Sequence, residues 1–438
     1  MIPMATRLAR AGFADAEAPV PDPWPSERRV LLAELRRRIE SLERRPKPDP
    51  DAGPRLPPAA LAHAAPRQRC LGELDGAEEV AWGARVTARM RPLMTAGEAI
   101  VAATPSWLAR LGGSSVPLEG GLAGVRILDC ETTGLAGGTG TLAFLVGIGR
   151  FEPDGMVHVE QLLLRGPACE AGFLDHLLHL LGGASALVTF NGRAFDGPLL
   201  RTRCVLQRRR AGPLAALPHV DLLPMARRMW RGRADDCRLI SLEERVLRRR
   251  RAEDFPGALA PAAYAAFLRG GDAAALAPIV THNRDDIVGT AALLVATLRI
   301  LADPLGFAED AAELRAAAAQ REIHDGLDAA VPLYVRALEI ARGPILRRKL
   351  LGELATALRR SGRWDLAGEQ WTQYAREFPN ENRGFVELAK LLERRRRDPV
   401  SALGVIARAP HPAAVDVERR RTRLERRVAR HVVLQRTP

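Results

Sequence analysis

The stretch Val125-Arg-Ile-Leu-Asp129-Cys130-Glu131-Thr132-Thr133-Gly134 decides the fold. A short apolar run, 125–130, ends in two carboxylates and a turn, the pattern of a buried strand that carries polar side chains at its C-terminal end. Residues two apart on a strand face the same way, so Asp129 and Glu131 converge while Cys130 is predicted to point into the core. Two acids side by side repel each other unless a cation lies between them. Hard oxygen ligands of this kind suit magnesium or manganese. Thr132 and Thr133 follow where amides and hydroxyls could meet phosphate or sugar. Alone the pair is a weak signal, because 52 acids make such spacings by chance.

Working outward, the glycine-rich 134–140 lacks the Lys-Ser/Thr ending of a phosphate loop and is predicted to be a hairpin between strands. Runs 142–151 and 157–164 follow as strands joined by a turn at Pro153-Asp154-Gly155. A helix fits 171–181, stopped by Gly182 and Gly183, and 186–190 is a further strand. Strands joined by turns, then helix, strand and more helix, predict an α/β fold with a mixed sheet and flanking helices. Towards the N-terminus, an amphipathic helix fits 26–45, with Leu31, Leu35, Ile39 and Leu42 on one face. Seven prolines in 46–66 then read as a linker, so 1–70 is peripheral. Beyond 305 only alanine-rich helical pattern remains. Gly362, Ala367, Trp371, Tyr374 and Pro379 stand at the offsets of a tetratricopeptide unit, with Leu354 and Leu358 in its first helix. Asp325, Ala330, Tyr334 and Ala337 repeat that spacing 37 residues earlier, and Ala402 begins a weaker copy. Such units bury a face only by stacking, so 306–438 is predicted to be an all-α, tetratricopeptide-like repeat domain that takes a protein partner; a plain helical bundle is the bland alternative.

At 47% hydrophobic and 27% charged residues, the 438-residue chain can bury real cores, which excludes wholesale disorder. No apolar run approaches the roughly 20 residues of a membrane helix, so no membrane partner is expected. The N-terminus shows no signal-peptide pattern. Five widely spaced cysteines without a C-x-x-C pair argue against a disulfide framework or a cysteine zinc site, and a cytoplasmic location is expected. The net charge is +13, and lysine occurs only at 47, 349 and 390. Between 201 and 251 there are 15 arginines against five acids, a local excess of ten. A polyanion partner would use such a stretch, although solvated helix faces would also explain it.

Two further clusters could carry chemistry. Asn191-Gly-Arg-Ala-Phe195-Asp196 follows the 186–190 strand, and Thr281-His282-Asn-Arg-Asp285-Asp286 opens a helical run reaching 301. Each has a structural explanation when taken alone: Asp196 at a helix start, Asn191 in a turn, acids near a helix mouth. His282 and Asp286 are four apart, however, which places them on one helix face. A histidine there could take a proton from water near neutral pH.

In order and spacing, Asp129-Cys-Glu131-Thr-Thr-Gly, Asn191-x-x-x-Phe195-Asp196 and His282-x-x-x-Asp286 resemble the three motifs of the DEDD exonuclease superfamily of RNase H-like folds. Within it the chain resembles the YprB-like proteins, which pair such a domain with C-terminal tetratricopeptide repeats. The three-residue gap in the last motif is that of the tyrosine-type branch, with histidine in the tyrosine position. The longer histidine-type gap would land on Ile287, which cannot bind metal; of the two neighbouring acids Asp286 is favoured, and Asp285 stays open as the alternative.

The resemblance implies an RNase H-like domain over 71–305, with its motifs in 120–300. It implies a 3′–5′ exonuclease acting on single-stranded DNA or RNA by a two-metal mechanism with Mg2+ or Mn2+. Asp129, Glu131, Asp196 and Asp286 would hold the ions and His282 would activate water, while Thr132, Thr133, Asn191 and Phe195 would contact substrate. Two alternatives differ in class: a non-catalytic nucleic-acid-binding adaptor working through its repeats, and a structure-specific endonuclease of the same fold. Asp221, in His219-Val-Asp221, is read as supporting structure, and Trp230 and Trp371 as core.

Overall fold

The computed structural model describes residues 71–72, 74–91, 98–114, 117–134, 140–234, 236–252 and 255–436. The helix expected at 26–45, the proline-rich linker at 46–66 and most of the glycine-rich 134–140 lie outside the described residues. Strands β1 (Ala77–Val80) and β2 (Gly83–Met90) form a hairpin, and α1 (Glu98–Gly112) follows. β3 (Val125–Thr132), β4 (Ala143–Phe151) and β5 (Val157–Leu164) then run as a meander. α2 (Glu170–Leu180), β6 (Ala186–Thr189), α3 (Asp196–Leu206), α4 (Gly212–Ala216) and β7 (His219–Asp221) complete the sheet region. The seven strands are ordered β1-β2-β5-β4-β3-β6-β7, with β3 parallel to β6, β6 parallel to β7 and every other pair antiparallel.

The mixed sheet expected from the sequence is thus present, with its strands within a residue or two of the anticipated limits. The edge hairpin β1–β2 and the three-residue β7 were not anticipated. Ala-Glu-Glu-Val carries no apolar alternation, and a three-residue strand is too short for any period to show. Thr133 and Leu142 close the β3–β4 connection: Thr133 N–H donates to the Leu142 carbonyl, and Leu142 N–H to Thr133 Oγ1.

After β7 the chain is helical: α5 (Leu222–Trp230), α6 (Leu239–Arg245), α7 (Ala260–Leu268) and the 26-residue α8 (Ala277–Ala302). α8 lies across β3, β4 and β5. Its approach requires glycine in β4. A Cβ on Gly147 would stand 2.3 Å from Asn283 Oδ1, and one on Gly149 would stand 2.5 Å from Ile287 Cγ2. Gly147→Ala is therefore expected to destabilise the fold by about 1–3 kcal/mol, as overpacking does. Urea unfolding checks this, and a shift below about 0.5 kcal/mol would mean that α8 can yield here at little cost.

The short α9 (Pro304–Phe307) leads into paired helices: α10 (Ala311–His324), α11 (Leu327–Ile340), α12 (Pro344–Arg360), α13 (Trp364–Glu377), α14 (Asn382–Arg394), α15 (Pro399–Ile406) and α16 (Val415–Arg436). The residues singled out by the repeat spacing are buried: Ala330, Tyr334, Ala337, Ala367, Trp371 and Tyr374, with Leu354 and Leu358 opposite. Gly362 sits at φ +79° between α12 and α13, a conformation that favours glycine. One apolar cluster runs from β3 through α8 and Trp230 into α10–α13, so the helical pairs are built directly onto the sheet region. Trp230 is 1% exposed and donates through Nε1 to Glu313 Oε1 at 2.6 Å, a core residue with a polar tether.

Candidate active site

The C-terminal end of β3 carries Asp129 and Glu131 at the centre of the sheet, where β4 and β6 flank it on either side. In register, Asp129 faces Gly147 of β4, which in turn faces Gln161 of β5. Asn283 of α8, fully buried, lies over this row. Its Oδ1 accepts from Gln161 Nε2 at 2.8 Å, and its Nδ2 donates to Asp129 Oδ2 at 2.9 Å. Gln161 Nε2 also donates to the Val280 carbonyl at 2.7 Å, which locks the row to the helix. The missing side chain at Gly147 leaves the space that Asn283 fills. Sequence reasoning passed over Gly147, Gln161 and Asn283. The signal was there for one of them: Asn283 is a lone amide between Ile279 and Ile287 on the buried stripe of α8.

The second cluster reaches the same place through the turn after β6. Asn191 adopts φ +71°. Gly192 follows, where a Cβ would stand 2.6 Å from Asp196 Oδ2 and 2.7 Å from Thr189 Cβ. This tight turn brings Asp196, the first residue of α3, back towards β3. Asp221 holds the turn: Oδ1 accepts from Asn191 N–H at 2.8 Å and Oδ2 from Arg193 N–H at 3.1 Å, while Oδ1 also caps α5 through Leu223 N–H. Cys130 is half-buried against the apolar core, as its alternation on β3 requires, and the same thiol faces the Asp196 carboxylate.

α8 contributes the third cluster, from its second and third turns and not from its mouth. His282 Nε2 stands 3.6 Å from Asp286 Oδ2 and 3.9 Å from Glu131 Oε1. The neighbouring acids are distinguished by their partners. Asp285 accepts from Arg249 Nη2 at 2.8 Å. Asp286 accepts from Arg251 Nη2 at 2.6 Å through one oxygen and presents the other to His282. Arg251 is in turn held by both oxygens of the fully buried Glu243, at 2.8 Å each. Glu243 fits against α8 only because residue 289 is glycine, where a Cβ would stand 1.8 Å from Glu243 Oε1.

The electrostatics follow from this crowding. Burial, reinforced by the charges of Asp286, Asp196 and Glu131, holds the Asp129 carboxyl well above the usual range. Burial and the charges of Asp286 and Asp196 push Glu131 up to about 8. Burial and the neighbouring Asp221 push Asp196 up to about 7. Carboxyls of this kind bind protons more tightly in the folded chain than in the unfolded one, so they withdraw stability as pH rises from the ordinary carboxyl range, about 4, towards these raised folded values. In EDTA, Glu131→Gln is therefore expected to raise the melting temperature by an increment that grows between pH 5 and pH 8. A pH-independent increment would show that the carboxylates do not repel one another.

Among the described residues no group of three or more His, Cys, Asp or Glu side chains is already gathered as a metal cage. The donor set nevertheless suits a hard divalent cation: four carboxylates, with repulsion around Asp129 and Glu131 that a cation would relieve. Of the residues expected at the substrate, Asn191 and Phe195 lie on the turn beside Asp196, and the Phe195 side chain is 57% exposed. The hydroxyls of Thr132 and Thr133 are engaged within the loop, Thr132 donating to the Gly134 carbonyl and Thr133 accepting from Leu142 N–H.

A family model described as the RNase H superfamily matches residues 127–298, from β3 to the end of α8. The uncharacterized protein YprB of Bacillus subtilis (strain 168) is 31% identical over 304 residues, covering 69% of this chain and 73% of YprB. The chain belongs to the YprB family and carries an RNase H superfamily domain. Among solved structures, the family B DNA polymerase from the hyperthermophilic archaeon Pyrobaculum calidifontis is similar at 15% identity, covering 46% of this chain and 29% of the polymerase, with a TM-score of 0.30. No helix among the described residues is long and apolar enough to cross a membrane.

The basic stretch at 201–251 does not form one continuous band. Eight of its fifteen arginines are ion-paired within the chain, Arg203 with the buried Glu170 and Arg251 with Glu243 and Asp286 among them. Much of the local excess seen in the sequence is therefore spent on holding the fold together.

Proposed function

We propose that the protein is a metal-dependent 3′–5′ exonuclease acting on single-stranded nucleic acid ends. One observation carries this reading: Asp129, Glu131, Asp196 and Asp286, from β3, α3 and α8, meet in a single mutually repelling cluster beside His282. Asp129, Glu131, Asp196 and Asp286 would hold divalent cations. When bound, these would supply charge stabilisation to the phosphodiester and its leaving oxygen. The chain's own residues do the rest. His282, within 4 Å of Glu131 and Asp286, orients water and accepts its proton. Asn283 and Gln161 fix the Asp129 carboxylate, and Arg251 fixes Asp286, so that little reorganisation is needed on reaction. Phe195 offers an exposed ring on which a terminal base can stack.

The test uses 5′-labelled single-stranded DNA and RNA with Mg2+ or Mn2+, with a parallel set blocked at the 3′ end. A ladder shortening from the 3′ end, abolished by the block and by EDTA, is expected. Cleavage that persists on blocked ends would make the enzyme an endonuclease, and binding without shortening would make it an adaptor.

A further inference from the structure

A cleft of about 1440 Å³ opens between the end of α5 and the first helical pairs, α10 to the start of α12. Eight basic side chains and two acidic ones line it. Part of that charge is used internally. Arg233 bonds Asp310 and Glu309, the two lining acids, and also Glu313; Arg315 is held by Glu353 and Arg336 by Glu339. Five cations remain: Arg227, Arg228, Arg231, Arg342 and Lys349. All five are exposed and have no ion pair among the described residues. Elsewhere the arginines of 201–251 are mostly neutralised by the chain's own acids. The concentration of unpaired cations in one concave place is therefore a property of the cleft, not of composition.

We infer that this cleft binds the phosphate backbone of the nucleic acid strand whose end occupies the active site, so that the helical region shares in substrate binding. The inference rests on the exonuclease reading for the identity of the strand, but the cation cluster stands independently of it. Two features favour nucleic acid over an acidic protein. The charge is supplied from both sides of the cleft: Arg227, Arg228 and Arg231 from the end of α5, and Arg342 and Lys349 from the start of α12. A polyanion with regularly spaced charges can bridge such walls. The cleft also lies one short helix away from the site. α5 begins at Asp221, which holds the Asn191 turn, and at a rise of ~1.5 Å per residue its basic end lies about 10–15 Å further on. A strand leaving the active site along α5 would reach it within a few nucleotides.

The experiment measures binding in EDTA with Asp129→Asn protein, so that hydrolysis does not intervene. The probes are fluorescent 20-nucleotide single strands and a glutamate-rich peptide of matched charge. Arg342→Gln with Lys349→Gln, on the helical side alone, is expected to weaken strand binding about 5–10-fold. The salt dependence should become shallower by about 0.7 in log–log slope for each phosphate no longer neutralised. Adding Arg228→Gln and Arg231→Gln should weaken it further. In the otherwise wild-type enzyme the four substitutions should slow shortening of the 20-mer while leaving a trinucleotide, too short to reach the cleft, at its original rate. Unchanged strand affinity and slope in the four-fold variant would overturn the inference. So would loss of peptide binding with strand binding intact, which would make the cleft a protein site. An inactive wild-type enzyme whose strand binding still depends on these residues would overturn the exonuclease reading and leave the cleft assignment standing. Retained melting temperature shows that each variant is folded.

Discussion

Asp129→Ala is expected to lower hydrolysis by about 10³-fold or more, beyond any other single substitution in the site. Asp129 occupies an interior strand, and three other carboxylates act on it at once: Asp286, Asp196 and Glu131. Two of those neighbours are held from outside the cluster, Asp286 by Arg251 and Asp196 by the turn at Gly192, so neither can move into the vacated position. The stability of the same variant should move the other way. Removing one of four crowded charges relieves repulsion, so the metal-free variant should melt at or above the wild-type temperature at pH 8. Asp129→Asn sharpens the contrast, because its carbonyl can still accept from Asn283 Nδ2 while the charge is gone. An inactive protein that is at least as stable as wild type would mark Asp129 as functional and not structural. Activity within tenfold of wild type in either variant would sink the proposed mechanism. A loss of activity accompanied by unfolding would move Asp129 into the scaffold.

The parts of this arrangement that were legible in the sequence are those whose signal is local. The run 125–132 announces itself by an apolar stretch ending in acids, and the Asn191–Asp196 turn by its place after a strand. His282 and Asp286 announce themselves by helical spacing. What holds these groups was not legible. Asn283 and Gln161 are 122 positions apart and meet only because β5, β4 and β3 come into one register beneath α8. Gly147 reads as an ordinary strand glycine until the helix over it is known. Which arginines of 201–251 stay free was not legible either: charge counted along the chain does not say which acids fold back onto it, and Arg203 finds Glu170 33 positions earlier. The edge hairpin escaped because β1 carries no periodic apolar signal.

Arg251→Ala is expected to cost about 3–5 kcal/mol of folding stability, the usual penalty for stripping one partner from a buried pair. Arg251 and Glu243 have side-chain exposures of 2% and 0%, and Arg251 supplies hydrogen bonds to both Glu243 oxygens. Arg249, whose Nη1 stands 3.5 Å from Glu243 Oε2, is committed through Nη2 to Asp285 and can replace only part of that contact. Burial already pushes Glu243 up, and removing the guanidinium pushes it further. Since protonation neutralises the stranded carboxyl, the deficit should be smaller at pH 5 than at pH 8. Thermal melts across that range check the sign, and a deficit that widened in acid would contradict it. Stability and positioning can then be separated. Pairing Arg251→Met with Glu243→Leu removes both charges, and such replacements restore or raise stability. The double variant still lacks the hydrogen bond that fixes Asp286 Oδ1 at 2.6 Å, so hydrolysis should remain reduced by about 10–100-fold in a well-folded protein. Full activity in the double variant would mean that Arg251 serves the core alone and that Asp286 finds its place without it.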